Sequence, residues 1–106
     1  MIHENLAAGR WQNMTLAEQL GNAGSEFERA WTWKQQKAQD KFESALARFL
    51  ELMDMTITDP RWQGVRNKEL SLAKEISIQA LYSGEADVIE DLQKYFLQFA
   101  ILARAI

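Results

Sequence analysis

A chain of 106 residues fits one domain, and at that size it buries roughly two thirds of the surface its unfolded form exposes, so one core suffices without staples. Cysteine is absent, which excludes disulfides and thiolate metal sites. The net charge of −3 argues against a wholesale nucleic-acid binder while leaving room for a local basic patch.

With five Gly and one Pro, little interrupts long elements, and Ala, Leu, Glu, Gln, Lys and Arg favour helix. Residues 1–14 read as a polar lead-in held to the body through Trp11, and residues 15–106 as a single helical domain. The opening MIHENLAAGR lacks an apolar core of signal-peptide length, and no run is long enough to span a membrane. The expectation is a cytoplasmic protein.

Thr15 opens the first helix. In T-L-A-E its hydroxyl can accept from the Glu18 amide while the Glu18 carboxylate reaches back to the Thr15 amide. Leu16, Leu20, Ala23, Phe27, Ala30 and Trp31 hold one face to about Lys34. Gly21 and Gly24 fall inside this run at a cost of roughly 1 kcal/mol each relative to Ala. With Ala17 they form a small-residue stripe that admits a close neighbour. A break there, with a new cap at Ser25, is the alternative, but the apolar phase continues across the glycines and favours one helix.

The pattern lapses near Gln35–Lys37, which predicts the first turn; one long rod from Thr15 to Thr58 is the competing reading. A second face then runs through Phe42, Ala45, Leu46, Phe49, Leu50, Met53, Thr56 and Ile57. Asp59-Pro60 ends it, because proline biases the residue before it away from helical geometry. After the RWQG loop, a third helix is expected from Val65 to Tyr82, with Gly84 as its C-cap. Its Leu70/Leu72 and Ile76/Ile78 pairs alternate in a strand-like way, but its length and composition favour helix.

Asp87 is expected to cap the last helix, with Glu90 and Asp91 in its first turn. That helix places Val88, Leu92, Tyr95, Phe96, Phe99, Ala103 and Ile106 on one broad face and Leu97 and Ile101 on the opposite side. A helix apolar over most of its girth is usually buried. It is therefore expected at the centre of the bundle or clamped between two subunits. Four helices with short connections predict an all-α, antiparallel up-down four-helix bundle.

The stretches LAEQLGNAGSEFERAWTWK, FESALARFLELMDMTITDPRW and KYFLQFAILAR resemble a family of short bacterial all-helical proteins of uncharacterised activity. A looser resemblance is to HEPN-type helical bundles, ribonucleases or partners of nucleotidyltransferases, by size and helix count alone. Ribonuclease members carry an Arg followed closely by a His late in the chain. The only histidine here is His3, so the resemblance implies a non-catalytic relative.

The residues themselves point the same way. Di-iron bundle sites need paired Glu-x-x-His motifs, which are missing. Glu51, Asp54 and Asp59 could offer oxygen ligands, but a solvated acidic edge is the plainer reading. There is no Ser–His pairing, and no glycine loop that would cradle phosphate. No cofactor and no metal are implied, and the protein is expected not to be an enzyme.

Glu18, Asn22, Ser25 and Arg29 line one side of the first helix, and Trp33 continues the line. Trp and Arg anchor interfaces, so this strip is the candidate partner-binding surface, with Arg29 stacked near Trp33. Leu97 and Ile101, with Met55, are the candidate seam of a homodimer. Arg29, Lys34, Lys37, Lys41 and Arg48, with Arg61, Arg66 and the tryptophans, could instead grip single-stranded nucleic acid. The reading is thus a non-enzymatic adaptor module with an unidentified protein partner. The alternative is a nucleic-acid-associated helical partner of a nucleotidyltransferase or toxin–antitoxin system.

Overall fold

The computed structural model describes residues 9–105, which places His3 and Ile106 outside the described residues. A 3-10 turn at Trp11–Asn13 leads into α1 (Leu16–Gln35), followed by α2 (Gln39–Ile57), a second 3-10 turn at Pro60–Trp62, α3 (Val65–Ser83) and α4 (Ala86–Arg104). The short connections force antiparallel neighbours, and the result is an up-down four-helix bundle with extents of 36 × 27 × 26 Å.

The capping box forms as its residues dictate: Glu18 N–H donates to Thr15 Oγ1 at 3.1 Å and Thr15 N–H to Glu18 Oε1 at 2.9 Å. Beyond it, α1 runs unbroken through both glycines. A Cβ at Gly24 would lie 2.6 Å from Phe96 Cβ, and one at Gly21 would lie 3.2 Å from Ala100 Cα. The small-residue stripe is where α4 approaches α1.

The α1–α2 turn carries no glycine, which explains its faint signal in the sequence. Lys37 itself takes the left-handed conformation, with φ 58°. Its N–H donates to Lys34 O at 3.0 Å, and the Ala38 N–H donates to Trp33 O at 3.0 Å. These are the two bonds of a Schellman motif. The long-rod reading is thereby excluded.

Phe27 of α1, Phe49 of α2 and Phe96 of α4 are the hub of the core, with ring centroids 5.6–5.8 Å apart. Helix α3 turns smaller residues inward: Leu70, Ala73, Ser77, Ala80 and Leu81. Its strand-like alternation arises because Ile76 and Ile78 are only half-buried and Leu72 is exposed. Gly84 ends α3 with φ 72°.

The expectations for α2 and α4 need correction. Leu52 and Met55 are buried on α2, whereas Leu50 and Ile57 are only half-buried. Glu85, not Asp87, occupies the N-cap of α4 and makes no side-chain cap bond. In the single chain α4 is also not the central element. That role falls to α1, which packs most extensively, against α2 and α4, and also touches α3. Helix α4 buries Ile89, Leu92 and Phe96, half-buries Val88, Tyr95, Phe99 and Ala103, and leaves Leu97 54%, Ile101 56% and Leu102 53% exposed.

Candidate functional site

The deepest polar cluster lies where the lead-in meets the α2–α3 connection. Trp11, wholly buried, donates through Nε1 to Thr56 Oγ1 at 3.2 Å, and Thr56 donates onward to Leu52 O at 2.9 Å. The buried Gln19 amide donates to Trp11 O at 2.8 Å and to Asp59 Oδ2 at 3.1 Å, and its oxygen accepts from Trp62 Nε1 at 2.8 Å. Arg61 reaches Asp59 Oδ2 at 2.8 Å and Met14 O at 2.8 Å. Hydrogen bonds from Arg61 hold the Asp59 carboxyl at about 2, against the opposing effect of burial. Every group named has a partner, and the acid stays ionised. This is a strap that closes one end of the bundle.

Glu51, Asp54 and Asp59 do not converge. Asp59 turns inward to Arg61, while Asp54 accepts from Lys74 at 2.7 Å. Among the described residues no group of three or more His, Asp or Glu is placed to hold a metal ion.

The strip on α1 is largely engaged within its own helix. Glu18 belongs to the capping box. Asn22 donates to Glu18 O at 2.8 Å and Ser25 to Gly21 O at 3.3 Å. Arg29 does not stack on Trp33. It pairs with Glu26, a buried carboxylate whose other oxygen, Oε2, has no partner among the described residues. Trp33 is half-buried, and Lys41 covers its ring with Nζ 4.5 Å from the centroid. The i,i+3 reach of Arg29 to Glu26 wins over a contact one turn further on.

Basic residues near the first turn are also used internally. Lys34 Nζ donates to Tyr82 O at 2.7 Å and lies 5.5–5.6 Å from the Tyr82 and Phe42 ring centres. Arg61 lies against Trp62, 4.6 Å from its centroid. Trp11 is buried and Trp31, Trp33 and Trp62 are half-buried, so they offer no row of open rings on which bases could stack.

Met55 is not available as a seam residue. It is 8% exposed and belongs to the core, because the last turns of α2 are covered over a wider arc than the apolar spacing implied. Leu97 and Ile101, by contrast, stand in solvent.

What Leu97 borders is a groove of about 510 Å³ between α1 and α4. Gly21, Gly24, Phe96 and Ala100 line it at the helix contact, Ser25 and Leu97 border it, and Glu28, Glu90, Lys94 and Arg104 supply its charges. Gln93 Nε2 bridges it to Glu28 Oε2 at 3.2 Å. Gly21, Gly24 and Ala100 bring the two helices close, and the trough runs along the outside of that contact. Sequence reasoning identified the small stripe, Ser25 and Leu97 separately; only the pairing of α1 with α4 joins them. A smaller, drier groove of about 320 Å³ lies between α3 and α4, beside Leu72, Ile76, Val88 and Tyr95. There Tyr95 donates to Glu69 at 2.8 Å, and burial, then that bond, raise its pKa.

Comparison with family models, curated proteins and solved structures finds no match to this chain.

Proposed function

We propose that the protein is a non-enzymatic interaction module that receives a helical protein surface in the α1–α4 groove. One observation carries this reading: a trough floored by Gly21, Gly24 and Ala100 and edged by the half-exposed Leu97, with charges confined to its rim. Exposed apolar side chains beside a polar rim mark interaction surfaces. Helix-in-groove recognition needs such a trough and no reactive group. None of the described helices is long and apolar enough to cross a membrane, and a cytoplasmic setting fits this reading.

The test is site-specific photo-crosslinking in the native host. A benzophenone amino acid replaces Ser25, which lines the groove, or Glu75, which is exposed on α3 outside it. A discrete protein adduct from Ser25 and none from Glu75 is the expected outcome. Equal labelling from both positions, or adducts to RNA alone, would refute a protein-docking groove.

A further inference from the structure

We infer that the α1–α4 groove takes a second copy of this chain, packed antiparallel along α4 about a two-fold axis at Leu97. The inference rests on the docking reading above and names its occupant. Glu90, Leu97 and Arg104 are spaced by seven residues and fall on one line of α4; all three border the groove. The line is acidic at one end, apolar in the middle and basic at the other, with Lys94 beside Glu90 offsetting one of the two acids at the acidic end. Glu28 of α1 reinforces the acidic end. Such a stripe complements itself only when reversed.

In the antiparallel register each Leu97 meets its own equivalent, and Arg104 of each copy reaches Glu90 and Glu28 of the other. Ile101 lies over the methylene stem of Lys94 from the second copy, whose ammonium keeps its 3.2 Å pair with Glu90 at the rim. A parallel arrangement would set Glu90 against Glu90 and Arg104 against Arg104, which like-charge repulsion disfavours. Arg104 has no ion-pair partner among the described residues, so the contact displaces no existing pair on that side. The surplus apolar surface of α4 then finds a cover: Leu97 and Ile101, more than half exposed in one chain, become the centre of a symmetric contact.

The experiment is sedimentation equilibrium of the full chain over a wide concentration range, with three variants. The native chain is expected to dimerise. Leu97→Glu, at an exposed position, is expected to be monomeric, with native helix content and a thermal transition that no longer depends on concentration. Glu90→Arg and Arg104→Glu are each expected to weaken the dimer roughly tenfold or more. Mixing these two variants is expected to restore association, since only the heterodimer sets opposite charges together at both ends. Single reversals that leave the dimer untouched would overturn the antiparallel register, and a dimer that survives Leu97→Glu would overturn the seam. A chain monomeric at every concentration, while Ser25 still crosslinks to a different protein, would overturn self-association and leave the docking groove standing. A monomer that also fails to crosslink would overturn both.

Discussion

Replacing Gly24 by Ala sets two effects of opposite sign against each other. In an exposed helix interior the change would stabilise by roughly 1 kcal/mol, because Gly gives up more backbone freedom on folding. Here the new methyl would lie 2.6 Å from Phe96 Cβ and 3.1 Å from its Cγ. An ordinary carbon contact needs about 3.5 Å or more, so α4 must retreat by the better part of an ångström. The offending atoms are at the root of Phe96, where rotation about a flexible bond gives no relief. Retreat also pulls the Phe96 ring from Phe27 and Phe49, now 5.6 and 5.7 Å away. Overpacking of this kind costs about 1–3 kcal/mol, which offsets the propensity gain and leaves a net loss of up to roughly 2 kcal/mol. For a domain of this length that lowers Tm by about 4–8 °C per kcal/mol. At Gly21 the nearest atom is 3.2 Å away, a few tenths short of comfort, so Gly21→Ala should be close to neutral. Urea and thermal unfolding of both variants, followed by circular dichroism, decide the matter. A Gly24→Ala protein more stable than the native one would mean that α4 does not ride on this glycine, and the groove would lose its floor.

Asp59 makes stability depend on acid. Its folded carboxyl titrates at about 2 against an ordinary 3.8, so the stabilisation is complete above the unfolded value and is lost as pH falls through about 2. The Arg61 side chain is 39% exposed, and allowing for screening the effect is about 1–2 kcal/mol. The gap in urea midpoint between native and Asp59→Asn should therefore narrow from pH 6 to pH 2; a constant gap would contradict the assignment. Arg29→Ala removes the partner of the buried Glu26 and should cost about 1–3 kcal/mol. Glu26→Met in the same background should recover most of it, whereas additive losses would show that the two side chains act independently. Lys37→Gly relieves a left-handed residue at the end of α1 and should raise stability by about 1 kcal/mol, and a lower urea midpoint would show that Lys37 is held there by something besides the turn.

Much of the bundle was legible because local chemistry and global fold agree. The Thr15–Glu18 box, the phase kept across Gly21 and Gly24, Asp59-Pro60 and Gly84 each mark a boundary or a continuity that the structure keeps. Of the strap only Trp11 was legible, as the residue that holds the lead-in to the body, and it is buried there. Gln19 lies on the buried face of α1 among Leu16, Leu20 and Ala23, and a polar residue at such a position asks for partners. Those partners are Trp11, eight residues before it, and Asp59 and Trp62, 40 and 43 residues after it. Spacing along one helix cannot disclose them. The expected Arg29–Trp33 contact failed for a related reason: Glu26 reads as one more charge on α1, and only its burial makes it the stronger claimant for Arg29.

The same limit bears on α4. Apolar residues around its girth require either a central place or a second subunit; in one chain its back is open, and α1 packs most extensively against its neighbours. A buried helix and a helix with an intermolecular face share the same apolar count; they differ in what stands beside the second face. Beside Leu97 stand Gly21, Gly24 and Ser25 of α1, with Glu28 and Glu90 at one end and Arg104 at the other. A core position has no use for an acid and a base seven residues to either side of a leucine. A reversed copy of the same stripe does, and this is why the surplus on α4 is better read as half of a contact than as a misplaced core.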